Sequence, residues 1–150
     1  MLTFFEVYVP PPEPVDTTNP SATLCAQLDD MVHRHSTRIA FALASPEHRR
    51  QTARGYDSFM FDKMVRTPSY GALLNEDGDS QYRVLSEHQH ENKYTAVVCV
   101  STSRGSSHSY EFNLSLQPPS VVDDHPCLAP YQLLGGHPPQ WRTDSVRALS

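Results

Sequence analysis

Residues 93–117 read KYTAVVCVSTSRGSSHSYEFNLSLQ, and this stretch decides the fold class. Its first part, 93–103, is rich in the β-branched residues that favour strands, and its last part, 108–117, alternates large apolar residues with polar ones. The RGSS between them, 104–107, has the small residues of a turn. The stretch therefore predicts two antiparallel strands joined by a short turn, with one buried face.

The alternation over 108–117 also predicts which side chains are buried, because successive residues of a strand point to opposite faces. The apolar residues that we expect in the core are Tyr110, Phe112, Leu114 and Leu116. The polar residues that we expect to face water or another chain are Ser109, Glu111, Asn113 and Ser115. Two more strands are predicted at 80–88, where Leu85 falls out of step with the alternation, and at 140–149.

Helices are predicted ahead of the strands. Residues 19–45 carry apolar residues at spacings of three and four, which indicates an amphipathic helix with Asn19 or Ser21 as its cap. The run IAFALA over 39–44 is apolar on every side, so either this helix enters the core or a second short helix begins there. Because Pro46 disfavours helical backbone at the residue before it, the element should end near position 44, and SPEHRR predicts a new helix.

A last short helix is predicted within 55–74, where Pro68 ends it. Helices followed by a run of strands indicate an α+β fold. The side chains that we expect to be buried in its core are Phe41, Leu43, Met60, Val98, Val100, Phe112, Leu114 and Trp141.

Composition and charge exclude several classes of protein. The chain has 150 residues, 38% of them hydrophobic, which fits one domain. A formal net charge of −5 and the lack of a Lys/Arg stripe provide no electrostatic basis for binding nucleic acid. The three cysteines, an odd number without a C-x-x-C pair, indicate a reducing compartment. We therefore expect a soluble intracellular protein with no membrane span, in the cytosol or in an organelle stroma or matrix, a plastid included.

The 13 prolines gather towards the two ends of the chain and divide it. The predicted parts are an apolar, proline-rich arm over 1–20, the α+β domain over 21–117, an irregular proline-rich insertion over 118–140, and a final strand with a tail over 141–150.

Seven segments of the chain together resemble the DUF4864 family. They are QLDDM, AFALASPEHRR, FDKMVRTPSYGALL, YRVLSE, YTAVVCV, YEFNLSLQ and QWRTDSV. The resemblance runs from about Thr23 to Gln117 and resumes at Trp141, and its most specific parts are 40–46 and 61–70. It implies the NTF2-like (cystatin-like) cone, with N-terminal helices packed on a curved antiparallel sheet of about four strands. The family is uncharacterised and has no established catalytic motif, so the resemblance implies a fold and not an activity.

The histidines contain one pattern that suits a metal. His88 and His90 are two apart on a predicted strand and so share a face, with His108 on another strand as a third ligand. No H-E-x-x-H motif and no cysteine spacing supports this pattern. We therefore expect no bound metal and no cofactor.

Acid–base catalysis in a cone-shaped cavity needs an inward carboxylate or histidine beside a tyrosine or a second acid. The candidates by residue type are Asp29, Asp30, Tyr56, Asp57, Asp62 and Tyr70. We expect Asp29 and Asp30 on the solvated face of the helix, Asp57 as a cap and Tyr70 in packing. The sequence therefore predicts no catalytic residue.

Apolar side chains in the arm and the insertion favour a docking function, since neither segment can form a core of its own. The side chains that we expect to bind a protein partner are Phe4, Phe5, Val7, Tyr8, Val9, Leu128, Tyr131, Leu133 and Leu134. The favoured function is a non-catalytic structural or interaction subunit of a larger assembly, an organellar or photosynthetic membrane complex contacted from its soluble side being one setting. The alternative place for the arm is along the sheet of its own domain, as an added edge strand.

Two other function classes stay open. The first is a binder of a small apolar ligand in the cone. The side chains that we expect to line its cavity are Phe41, Phe59, Met60 and Met64. The second is a small enzyme of the isomerase or dehydratase type. A cavity filled by side chains would weaken both, whereas an open cavity with a buried carboxylate would favour the enzyme.

Overall fold

The structure of the chain is a computed structural model with six helical elements and six strands among the residues that it describes. Those residues are 15–53, 58–74, 79–118, 133–134 and 139–149, with the side chains of 52–53, 58–60 and 133–134 left out. The helices are α1 (Pro20–Leu28), α2 (Arg38–Ala42), α3 (Pro46–Ala53) and α4 (Ser58–Val65), with a π-helical turn at Asp29–His33 and a 3₁₀ turn at Gly71–Leu74. The strands are β1 (Val15–Asp16), β2 (Gln81–His90), β3 (Lys93–Ser101), β4 (Ser107–Gln117), β5 (Leu133–Leu134) and β6 (Gln140–Ala148).

Four strands form the main sheet in the order β2–β3–β4–β6, and each neighbouring pair is antiparallel. Together with the preceding helices, this sheet confirms the predicted α+β class. The two short strands β1 and β5 pair in parallel, with Val15 opposite Leu133 and Asp16 opposite Leu134. Val15 is buried in one apolar cluster with Ile39 of α2. The end of the predicted arm therefore pairs with the predicted insertion and packs on its own domain.

The predicted alternation in β4 is confirmed along most of the strand and wrong at its end. The residues buried as predicted are Tyr110, Phe112 and Leu114. Leu116 is only half-buried, because it is the last residue but one of the strand. Ser115 is buried rather than exposed: its hydroxyl accepts a hydrogen bond from Gln117 Nε2 at 2.6 Å, and the residue opposite it in β6, Arg142, is itself buried.

The residue that falls out of step in β2, Leu85, is an extra residue in the ladder. Val84 lies opposite Val98, but Ser86 lies opposite Val97, so Leu85 forms a β-bulge. Its side chain is 49% exposed. The break in the sequence alternation therefore has a structural cause.

The helix starts follow the predicted caps. Asn19 Oδ1 accepts a hydrogen bond from the backbone N–H of Ala22 at 3.1 Å, with proline in the first turn of α1. The Ser45 hydroxyl accepts the N–H of His48 at 3.2 Å and caps α3 in the same way. Of the two alternatives for residues 39–44, the second short helix is the one that forms, as α2.

The prediction that Asp30 lies on the solvated face of the helix is wrong, since this side chain is buried. Its Oδ2 accepts the N–H of Ile39, in the first turn of α2, at 3.1 Å, and its backbone oxygen accepts the N–H of Ser36. Arg34 adds an ion pair at 3.4 Å, and His35 takes a positive φ of 56° where the chain turns. Asp30 is thus buried because it caps the helix that follows.

The core lies between the helices and the inner face of the sheet. The predicted core residues that are buried are Phe41, Leu43, Val98, Val100, Phe112, Leu114 and Trp141, while the side chain of Met60 lies outside the described residues. The joint between α2 and α3 runs along the edge of β6, where the N–H of Thr143 donates to Leu43 O at 2.9 Å and the N–H of Ser45 to Thr143 O at 2.7 Å. These bonds fix both helices to the sheet.

None of the described helices is long and apolar enough to cross a membrane.

Candidate functional site

An open cavity of about 210 Å³ lies between the helices and the sheet, and we call it the apolar cavity. Its apolar wall includes Met31, Ala40, Phe61, Leu73, Phe112 and Val146. Its polar lining residues are Gln27, His48, Gln51 and Tyr70. The lining comes from all four helices, the π-helical and 3₁₀ turns, β4 and β6, with Tyr70 between elements. Among the described residues, no carboxylate lines it.

Three of the polar lining residues form hydrogen bonds within the fold. The Gln27 side chain exchanges hydrogen bonds with the hydroxyl of Thr143, at 2.7 and 3.0 Å, which joins α1 to β6. The phenol of Tyr70 donates to Val146 O at 3.3 Å, so this tyrosine packs as predicted. The amide of Gln51 donates to Glu47 on the same helix. The fourth polar residue of the lining is His48.

The ring of His48 stands edge-on against Phe61, with ring centroids 5.7 Å apart. Burial removes water from the imidazole and lowers the pKa of His48 to about 4, with Asp144 opposing the shift and Arg49 adding to it. The imidazole is consequently neutral at pH 7 and offers one N–H donor and one nitrogen acceptor. A neutral, partly buried donor–acceptor pair in an apolar wall is suited to orient a ligand that carries one polar group.

His48 is held in place by the residue that follows it. Arg49 is buried, and its guanidinium donates to the backbone oxygens of Phe41 at 3.1 Å and Ala42 at 2.9 Å. It also lies 5.2 Å from the centre of the Phe41 ring. Arg142 of β6 donates to the same Ala42 oxygen at 2.6 Å. The start of α3 is thereby fixed to α2 and to the sheet.

The structure describes the side chains of two of the four residues that were predicted to line the cavity, Phe41 and Met64. Met64 lines it and is 47% exposed, at its rim. Phe41 packs edge-on against the lining residue Phe61, with centroids 5.3 Å apart, and is fully buried. The side chains of Phe59 and Met60 lie outside the described residues.

Sequence reasoning named Tyr70 as a candidate but missed the other polar residues of the cavity, Gln27, His48 and Gln51. His48 and Gln51 are three residues apart in a segment that was predicted to be helical, and this spacing places them on one face. That signal was present, but nothing in the local sequence shows that this face meets Phe61 and the sheet.

The carboxylates considered for acid–base catalysis have structural partners. Asp62 accepts hydrogen bonds from the Thr37 hydroxyl at 2.7 Å and from Arg66 Nε at 2.8 Å. Asp29 accepts one from the Tyr82 phenol at 2.6 Å. Tyr56 and Asp57 lie outside the described residues.

A second cluster of polar side chains lies where the end of α1 faces β2. Its members are Cys25, Asp29 and Tyr82. Desolvation, together with the hydrogen bond to Asp29, raises the pKa of the Tyr82 phenol. Burial first, and then the charge of Asp29, raise the pKa of the Cys25 thiol, so this thiol stays protonated at neutral pH. The group braces the helix against the sheet and contains no activated nucleophile.

The histidine pattern does not form a metal site. His88 and His90 lie on β2, opposite Thr95 and Lys93 of β3, whereas His108 lies on β4, opposite Val100 at the other end of β3. β3 separates the two strands. In the part of the chain that the structure describes, no group of three or more histidine, cysteine or acidic residues is placed to hold a metal ion.

The predicted partner-binding side chains are not described by the structure. Those of the arm and Leu128 and Tyr131 lie outside the described residues, and Leu133 and Leu134 are described by their backbone alone. Their docking role stays a prediction.

Comparison of the chain with protein-family models, curated proteins and solved structures found no match. The resemblance to the DUF4864 family and the NTF2-like cone accordingly stay predictions.

Proposed function

We propose that this protein binds a small, uncharged, mainly apolar molecule in the apolar cavity. The observation that carries the proposal is an open space of about 210 Å³ whose wall is apolar apart from a few polar groups, with His48 neutral among them. Close-packed interiors hold few voids of this size. An apolar cavity that stays open is a site where a ligand of matching size gains binding energy by leaving water.

The volume sets the size of the ligand. An apolar cavity of about 150 Å³ is enough to bind benzene. A space of about 210 Å³ fits a molecule of roughly 8–12 non-hydrogen atoms, such as a single ring with one short substituent. The exposed side chain of Met64 at the rim gives such a molecule a flexible gate.

The lining sets the charge of the ligand. Because no charged side chain lines the cavity among the described residues, an ionised ligand would lose its hydration without gaining an ion pair. A neutral hydroxyl or amine can instead exchange one hydrogen bond with His48. Phenol-like molecules satisfy both conditions.

The test is a titration with phenol and with toluene, followed by NMR of the methyl and amide groups. We expect saturable shifts confined to the lining residues, and tighter binding of phenol, with the preference for phenol lost in His48→Phe. Ala40→Leu, which fills the cavity, should abolish binding of both probes, while Ala22→Leu on α1 should leave it intact. If neither probe gives a saturable shift in the wild-type chain, the proposal is wrong.

The docking subunit and the enzyme stay as alternatives. An enzyme of the isomerase or dehydratase type gains no support from the cavity, where no carboxylate is among the described lining residues. Docking is tested by purifying the full chain beside a variant that lacks residues 1–14. Partners recovered with both forms would exclude the arm as the anchor.

A further inference from the structure

A second concave site lies outside the apolar cavity, and we call it the basic groove. It has a volume of about 400 Å³ and is formed where the chain after α4 meets the turn between β3 and β4. Its ionisable lining residues are Arg66, Arg104 and His108. Its hydroxyl-bearing lining residues are Thr67, Ser80, Thr102 and Ser106. No aspartate or glutamate is among the described residues that line it.

The ionisable side chains that line this groove among the described residues are all basic, whereas the chain as a whole carries a formal net charge of −5. A concave surface lined by one sign of charge concentrates ligands of the opposite sign. Arg104 and His108 have no hydrogen-bond or ion-pair partner for their side chains among the residues that the structure describes. Their donors are thus available to a ligand.

Hydrogen bonds hold the Arg66 guanidinium and close the turn that carries Arg104. Arg66 Nε donates to Asp62 at 2.8 Å and Arg66 Nη2 to His35 O at 3.3 Å, which fixes the position of this guanidinium. The turn that carries Arg104 is closed by the Thr102 hydroxyl, which accepts the N–H of Ser106 at 3.1 Å. The groove is therefore shaped before any ligand binds, which limits the entropic cost of binding.

We infer that the basic groove binds the phosphate group of a small phosphorylated molecule. Guanidinium groups match the geometry of phosphate oxygens, and the hydroxyls supply further donors for a group with several acceptor oxygens. A carboxylate has fewer acceptor sites and would use fewer of these donors. The volume of the groove leaves room for the organic part of the ligand.

This site is independent of the proposed ligand of the apolar cavity, although the two share a wall. Val65 and Tyr70 line the cavity, while Arg66 and Thr67 from the same segment line the groove. Filling the cavity with Ala40→Leu should therefore leave phosphate binding unchanged.

The experiment is an NMR titration of the full chain with inorganic phosphate and with phosphoserine at constant ionic strength, using acetate as the carboxylate probe. We expect saturable shifts at the amides of Gly105 and Ser106 and at the His108 ring, with phosphate and phosphoserine but not with acetate. Arg104→Gln should raise the Kd about tenfold, equivalent to about 1.4 kcal/mol. The matched control is Arg83→Gln, which removes an exposed arginine from β2.

Three results would overturn the inference. The first is an equal loss of binding in Arg104→Gln and Arg83→Gln, which would show unspecific attraction. The second is an equal response to acetate and to phosphate. The third is much tighter binding of a phosphoserine peptide than of phosphoserine itself, which would assign the groove to a protein partner. Because Arg104 is exposed, its replacement should not disturb folding, and His108→Gln provides a second variant that should weaken phosphate binding.

Discussion

The apolar cavity and the basic groove place their ionisable groups in opposite environments. In the cavity, burial lowers the pKa of His48 to about 4, so the group is neutral at pH 7. In the groove, the Arg104 guanidinium is exposed to water. Val65 lines the cavity, and the next residue in the sequence, Arg66, lines the groove. Neighbouring residues of one segment thus belong to two sites with different chemistry. Burial and residue type together therefore decide which ligand each site suits.

The largest expected effect concerns the wall of the cavity. Phe112 is fully buried and lines the cavity, so Phe112→Ala should lower the free energy of unfolding by ~3–5 kcal/mol through lost burial and an enlarged void. Leu85→Ala, at the exposed bulge of β2, is the control and should change it by less than about 0.5 kcal/mol. Urea melts measure both. A cost below about 1 kcal/mol for Phe112→Ala would mean that the cavity wall is not part of the core.

The second effect tests the neutral state of His48. Its pKa of about 4 in the folded chain lies below the ordinary value of 6.5, so the unfolded chain binds more protons between these pH values. The stability that the neutral imidazole contributes is complete above pH 6.5 and decreases as the pH drops towards 4. At pH 4 the free energy of unfolding should be lower by up to about 3 kcal/mol.

The measurement is a series of urea melts from pH 7 to pH 4. His48→Phe should flatten this part of the pH profile, whereas His90→Gln, at an exposed end of β2, should leave the slope unchanged. A slope that persists in His48→Phe would contradict the buried, neutral imidazole.

The local sequence pattern predicted those parts of the fold that depend on residues close together in the sequence. The alternation around Phe112 gave the buried face of β4, and Ser45 with its proline gave the joint between α2 and α3. The burial of Asp30 was missed because it depends on a helix start nine residues ahead, whose existence the pattern left open. The groove was missed because Arg66 and Arg104 meet only once the sheet is formed.

The third effect, which is smaller, tests the hydrogen bond by which the Asp30 carboxylate caps the start of α2. Asp30→Ala removes the acceptor for the N–H of Ile39 and leaves this buried donor without its partner, so it should cost about 1–2 kcal/mol. Asp29→Ala is the control on the preceding residue and should cost less. Asp29 is half-buried, and among the described residues its side chain forms a hydrogen bond to Tyr82 alone. Equal costs for the two variants would show that the cap is not specific.

The smallest effect concerns Arg66, which lines the basic groove and follows the cavity residue Val65 in the sequence. Partial burial alone would raise the pKa of Asp62, but hydrogen bonds from Arg66 and Thr37 outweigh it and lower the pKa below the ordinary 3.8. Stability from this contact is therefore present above pH 3.8 and is lost as the pH falls through the lower, folded-state value.

Because both groups of this pair are more than a third exposed, water screens the attraction, and Arg66→Gln should cost at most about 1 kcal/mol at pH 7. The cost should shrink as the pH falls through the lowered pKa of Asp62, where the carboxylate becomes protonated. Arg50→Gln, which breaks an exposed pair with Glu47 in α3, is the matched control and should cost still less. Urea melts of both variants in a series from pH 7 down through the acidic range measure these costs. A cost for Arg66→Gln that does not change with pH would show that Arg66 stabilises the chain through its contact with His35 O rather than through Asp62.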